Sequence, residues 1–350
     1  MPAPAHADLA NTQPSQEGSF DAGNVVLQSG RTFRQMRLVY KTFGTLNADK
    51  SNAILYPTSY AAQHHDIQFM VREGGALDPN RHFIIIANLF GNGLSSSPSN
   101  TPWPDTGSRY PDVTCYDAVH VQRRMLQQLW GIERLALVYG WSMGAMQAYH
   151  WAALFPQAVE RIAVVCGAAR CAPHNHVFIE GVKAALTADP AWRDGVFTER
   201  PVRGFRAMAR IYAGWAMSQT FYRQELWRGL GASSLEDYLV SSWESNFSRL
   251  DPSDLLAQFW TWQNGDISAN ALYHGDLPRA LAAIEAKVLL MPGDHDLYFQ
   301  VDDNRLELPH LRHGALHPIP SVWGHRAGNP VSQPEDRAFI EAHVQALLAS

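Results

Sequence analysis

The chain has 350 residues, 46% of them hydrophobic, which is enough for one or two domains with a large core. A net charge of -5 with no basic stripe excludes a nucleic-acid partner. No apolar run approaches the roughly 18 residues of a membrane span, so no membrane partner is expected.

Three cysteines (Cys115, Cys166 and Cys171) cannot build a framework of bridges, and they point to a reducing, cytoplasmic setting. Residues 1–18 are polar and rich in Pro, Ala, Asn and Gln. They lack a basic segment followed by an apolar one, so they read as a flexible tail, not a signal peptide. Val25–Leu27 and Met36–Phe43 read as an opening antiparallel pair. Ala53–Pro57 and the β-branched Phe83–Asn88 read as buried strands. A helix is expected over Val113–Leu129, with Asp112 as its N-cap.

Leu135–Trp141 is a further apolar strand, followed by a helical tract from Met143. Between them stands Gly140-Trp141-Ser142-Met143-Gly144, a G-x-S-x-G pattern. In a strand–turn–helix setting this pattern is a nucleophile elbow. The turn is so tight that only glycine fits at its flanks. Ser142 is placed at the tip with its hydroxyl exposed, and the Met143 N–H points at a developing oxyanion.

Arg161–Cys166 is the next strand, so strands alternate with helices, as a mostly parallel sheet requires. From about residue 170 to 286 the alternation stops. That stretch carries Trp192, Trp215, Trp227, Trp243, Trp260 and Trp262 and reads as an inserted helical cap. Alternation resumes with Lys287–Pro292, a helix over Gln300–Leu311, a short strand over Ala315–Ile319 and a last helix over Glu335–Leu348. The division is therefore a tail (1–18), a core (19–169 and 287–350) and a cap (170–286).

A nucleophilic serine needs a base, and the base needs an acid to orient it. After a nucleophile elbow the chain order is serine, acid, histidine. Asp294 and Asp296 end the late strand. Asp296 is the choice, because the G-x-x-D spacing sets it at the sheet's carboxyl edge, with Asp294 as the fallback. His325 follows the next strand and is the expected base. The second oxyanion donor is assigned to the Ser59 N–H, with Tyr60 its neighbour. No metal is expected: His64-His65-Asp66 lacks the spacing of a zinc motif. Gly91-Asn92-Gly93 is not a phosphate loop.

Several phrases in order carry a resemblance. They are Gly75–Asp78 with Arg81–Ile85, Asn88–Gly93, Gly140–Gly144 with Met146–Ala148 and Trp151–Ala152, Leu235–Leu239, Phe247–Asp251, Asp296–Phe299 and Gly324-His325. Over about residues 20–348 the chain resembles the α/β-hydrolase superfamily, and more narrowly the homoserine O-acetyltransferase family. The resemblance implies an α/β-hydrolase fold with helices on both faces of a mostly parallel sheet and an inserted helical cap. It implies a Ser142–Asp296–His325 triad, an acyl-enzyme, no cofactor, a small-molecule acyl substrate and a homodimer. Acetyl-CoA enters as acyl donor if the chain is a transferase. Transferases of the family carry an acidic residue after the catalytic histidine to meet the acceptor's ammonium, where this chain has Arg326. Ala145 stands where they have a second glycine, Trp141 where they have one before the serine, and Pro57-Thr58-Ser59-Tyr60 where they have a His-Ala-Leu-Thr type of loop. Tyr60, Trp141 and Arg326 are therefore the candidate substrate contacts. The lost acid favours a hydrolase of esters or thioesters over an acyl-CoA-dependent O-acyltransferase.

Overall fold

The computed structural model of the chain describes residues 11–102 and 104–350, so residues 1–10 of the expected tail lie outside it. Eight strands form one sheet in the order β1-β2-β4-β3-β5-β6-β9-β10. They are β1 (Ser15–Val26), β2 (Thr32–Phe43), β3 (Ala53–Pro57), β4 (Phe83–Ala87), β5 (Leu137–Trp141), β6 (Arg161–Val165), β9 (Lys287–Met291) and β10 (Gly314–Leu316). β1 and β2 are antiparallel to each other, and β2 is antiparallel to β4. From β4 to β10 every pairing is parallel.

The central strands read as unbroken apolar runs because both faces are covered. Their side chains split with period two. Ile54, Ile84, Ile86, Leu137, Tyr139, Val165 and Met291 pack into one core. Leu55, Ile85, Val138, Ile162, Val164, Val288 and Leu290 pack into the other.

Several boundaries differ from the sequence reading: β2 begins at Thr32 and not at Met36, β10 is Gly314–Leu316 and not Ala315–Ile319, and the helix expected over Gln300–Leu311 spans Val301–Glu307. β1 begins at Ser15, ten residues before the expected Val25, so Ser15–Gly18 are strand and not tail. Most of its residues alternate with solvent at the sheet edge, so no apolar run announced them. The helix after β4 spans Cys115–Trp130 and is capped by Thr114, not Asp112. Thr114 accepts from the Asp117 N–H while Asp117 accepts from the Thr114 N–H, and this reciprocal pair fixes the start.

Between β6 and β9 the chain leaves the sheet. Helices Pro173–Thr187, Val202–Ala216 and Pro252–Gln263 dominate there. A small hairpin, β7 (Trp192–Arg193) and β8 (Val196–Phe197), interrupts the expected all-helical run. Of the six tryptophans in this segment, Trp227 and Trp262 are buried. Trp262 sits in an aromatic cluster with Phe178, Tyr298 and Phe299 that ties the segment to the sheet.

Register aligns the strand ends that matter. Trp141 pairs with Val165, and Val165 with Met291. The residues that follow, Ser142, Cys166 and the Pro292–Asp296 turn, therefore leave the sheet along one edge. Ser59, two residues past β3, leaves it beside them.

Candidate active site

Ser142 adopts φ 57° and ψ -126°, a backbone region that side chains avoid. The elbow is forced from both sides. A Cβ on Gly140 would lie 2.2 Å from the Gly144 carbonyl oxygen, and one on Gly144 would lie 2.6 Å from the Pro57 carbonyl oxygen. The helix Met143–Leu154 starts at once, with Ser142 as its N-cap residue. As a whole residue Ser142 is only 3% accessible, and its hydroxyl has no hydrogen-bond partner among the described residues.

Asp296 and His325 meet as the sequence suggested. The His325 Nδ1 lies 2.7 Å from the Asp296 Oδ2, and both side chains are buried. The other carboxylate oxygen, Oδ1, accepts from the Tyr298 N–H at 2.8 Å and the Phe299 N–H at 3.2 Å. A carboxylate accepts only, so Nδ1 carries the ring proton and Nε2 is left as the basic nitrogen. Asp294 is exposed and stands outside this pair.

Three rings hold the imidazole. Trp141 stacks on it at 5.1 Å between centroids, Tyr298 meets it edge-on at 4.9 Å, and Phe299 lies at 5.6 Å. The Trp141 indole also donates to the His325 carbonyl at 3.3 Å. Trp141, singled out as a substrate contact, thus packs against the His325 imidazole. The His325 loop is pressed between Trp141 and the segment above it. A Cβ on Gly328 would lie 2.5 Å from the Trp141 ring, and one on Gly324 would lie 2.7 Å from the Ala216 carbonyl oxygen.

Cys166 also joins this site. Its sulfur falls within 4.8 Å of the Asp296 and His325 ligand atoms. Burial pushes the thiol well above its usual range, and the neighbouring Asp296 adds to the rise, so it is a neutral S–H against the acid.

Ser59 and Met143 both adjoin the elbow, Ser59 through the Trp141 carbonyl and Met143 as the residue after Ser142. Around the Thr58–Ser59 unit almost every polar group is engaged. The Thr58 N–H donates to the Ala87 carbonyl at 2.9 Å, and the Thr58 hydroxyl oxygen accepts from the Leu89 N–H at 2.9 Å. The Thr58 carbonyl accepts from Gln147 at 3.0 Å, the Ser59 carbonyl accepts from the Ala62 N–H, and the Ser59 hydroxyl donates to the Trp141 carbonyl. Neither the Ser59 N–H nor the Met143 N–H has an acceptor among the described residues. Met143 is the first residue of its helix, where N–H groups are unpaired and the dipole favours negative charge. Two free donors flanking a strained serine can receive an oxyanion.

Tyr60 does not extend into open space. It stacks on Phe259 at 4.3 Å and on Tyr212 at 5.8 Å, and its buried hydroxyl has no partner. Arg326 follows His325, its guanidinium 6.0 Å from the Trp141 ring, with no ion pair to any described residue. Burial lowers its pKa. The sequence reading missed Cys166, the Tyr298 and Phe299 contacts and Gln147. For Gln147 a signal existed in the sequence: it is an amide within a tract, Met143–Leu154, made mostly of apolar and small residues.

A family model described as the alpha/beta hydrolase fold matches residues 57–320. The chain is 37% identical over 331 residues to an ethyl acetate hydrolase of Pseudomonas veronii, covering 94% of each. It is 31% identical over 310 residues to a homoserine O-acetyltransferase of Caulobacter vibrioides, covering 80% of each. A solved acetylester hydrolase of Corynebacterium glutamicum superposes with a TM-score of 0.92 at 36% identity, covering 96% of each chain.

Proposed function

The chain belongs to the alpha/beta hydrolase family, and within it we propose a serine esterase that cleaves short acyl esters, acetyl esters foremost, through an acyl-Ser142 intermediate. The observation that carries this reading is the strained Ser142 elbow beside a buried His325 whose Nδ1 is held by Asp296. The His325 Nε2 takes the Ser142 hydroxyl proton as Oγ bonds to the ester carbonyl carbon. The Met143 and Ser59 N–H groups hold the resulting oxyanion. Collapse breaks the ester C–O bond, and the alcohol leaves with the proton from Nε2. Water repeats the sequence and releases the acid. No cofactor takes part.

Two features support water over an amino-alcohol acceptor. Arg326, next to the base, repels an ammonium group. The relatives include an ethyl acetate hydrolase and an acetylester hydrolase, aligned over nearly the whole chain. A small acyl group fits a nucleophile that is only 3% accessible as a residue and a Tyr60 next to Ser59 that is closely stacked with Phe259 and Tyr212. A cytoplasmic setting fits three free cysteines. The homodimer belongs to the same reading, and light scattering of the purified chain tests it.

The test is turnover of 4-nitrophenyl acetate against its longer acyl homologues, with Ser142→Ala as control. Parallel assays follow CoA release from acetyl-CoA with and without homoserine, serine and simple alcohols. Ser142-dependent ester cleavage with no acceptor-dependent CoA release is the expected outcome. Acceptor-dependent release establishes the second reading, an O-acyltransferase, which the homoserine O-acetyltransferase relatives favour.

A further inference from the structure

The helix that follows Ser142 is buried on every side, and Gln147 lies on it, fully buried. A buried primary amide is costly unless paired. Its partners form a continuous chain. The Trp151 indole N–H donates to the Gln122 Oε1 at 2.7 Å. The Gln122 Nε2 donates to the Gln147 Oε1 at 2.7 Å. The Gln147 Nε2 donates to the Thr58 carbonyl at 3.0 Å and reaches the Met143 carbonyl at 3.3 Å.

The direction of this chain is fixed by its two ends. An indole N–H only donates and a backbone carbonyl only accepts. Neither amide can flip without setting donor against donor at one end and acceptor against acceptor at the other. The Gln147 NH2 group is therefore committed to Thr58.

A trans peptide is planar, with its C=O and N–H pointing in opposite directions. Holding the Thr58 oxygen from the helix side turns the N–H of the same peptide, which is that of Ser59, away from the helix and toward the face where the acyl carbonyl sits. We propose that Gln147 is a positioning residue: it sets the plane of the Thr58–Ser59 peptide and so aims one of the two oxyanion donors, with Gln122 and Trp151 locking its amide. This rests on the esterase reading and on the Ser59 N–H as an oxyanion donor.

The test is Gln147→Met, which keeps length and apolar bulk but has no donor, measured on 4-nitrophenyl acetate. Deleting an oxyanion donor outright costs about 10²- to 10³-fold in kcat, and misaiming one forfeits part of that. The expected result is a kcat about 10- to 100-fold lower with KM within about twofold. The Ki of a trifluoromethyl ketone, whose adduct on Ser142 carries the oxyanion, should rise by the same factor. Gln122→Met breaks the chain one bond further from Thr58. It should lose comparable melting temperature but distinctly less kcat, a separation that a purely structural role does not produce. Gln147→Leu, which also has no donor, is the variant to use if the methionine form does not fold, and the same loss is expected. A Gln147 variant with wild-type kcat and Ki overturns the proposal, as does a loss of kcat that tracks melting temperature across both positions. A wild type without Ser142-dependent turnover overturns the esterase reading instead.

Discussion

Asp296→Asn changes one atom and leaves the volume untouched, so its effect isolates the proton on His325. Two backbone N–H groups, those of Tyr298 and Phe299, point at the Asp296 Oδ1. In the asparagine variant they keep the amide oxygen on their side, which turns the NH2 group toward the His325 Nδ1. That nitrogen must then accept, and the ring proton moves to Nε2, where the base is needed. The alternative amide orientation restores the ring but leaves two buried N–H donors facing an NH2 group. At about 1–3 kcal/mol for each unsatisfied donor, the cost is about 4 kcal/mol. The enzyme meets one cost or the other in the transition state, and about 4 kcal/mol corresponds to about 10³-fold in kcat. The assay is kcat for 4-nitrophenyl acetate on protein whose fold is verified by circular dichroism, with KM expected to hold within about twofold. Asp296→Ala imposes no tautomer and should retain more activity than the asparagine form. A loss below about tenfold, or an asparagine variant more active than the alanine one, would show that Asp296 does not control the ring proton.

Two further outcomes test the scaffold. Glu307 accepts from the Tyr149 hydroxyl at 2.8 Å, the Ala169 N–H at 2.7 Å and Asn304 at 2.9 Å, yet burial outweighs these bonds and lifts its pKa from an ordinary 4.5 to about 7. Between those values the folded protein holds a proton that the unfolded chain has released, so this group's contribution falls as pH rises through the window. The decline is about 3 kcal/mol at 1.36 kcal/mol per unit. Urea unfolding of wild type and Glu307→Gln from pH 4.5 to 8 should show that decline in the wild type and lose it in the variant; parallel pH profiles would refute the assignment. Gly167 stands against the nucleophile helix, and a Cβ there would lie 2.4 Å from the Ala145 Cβ. Gly167→Ala should cost about 1–3 kcal/mol of stability, and adding Ala145→Gly should recover most of it in urea melts, as the clash predicts.

The parts of this molecule that could be read from sequence are those where one local rule dominates. Ala53–Pro57 and Arg161–Val165 are strands buried on both faces, so their apolar runs have sharp ends. The elbow is legible because Gly140 is a steric necessity set by a contact four residues away, as the clash with the Gly144 carbonyl shows. Asp296 was preferred over Asp294 on spacing, and burial separates the two in the same sense. β1 was legible only at its end, because a half-exposed edge strand carries few apolar residues. What could not be read depends on contacts across long stretches of chain. Trp141 touches His325 at a separation of 184 residues, and Gln147 reaches Thr58 across 89. Both residues lie within six positions of Ser142 and look locally like ordinary strand and helix filling. The reacting groups announce themselves through motif and order, because chemistry restricts their type. The groups that aim them are restricted only by geometry: an indole flat against an imidazole, or an amide of fixed polarity behind a peptide plane. If the tautomer of the base and the direction of an oxyanion donor are set by such groups, substitutions at Trp141 or Gln147 should lower kcat by more than their loss of stability accounts for.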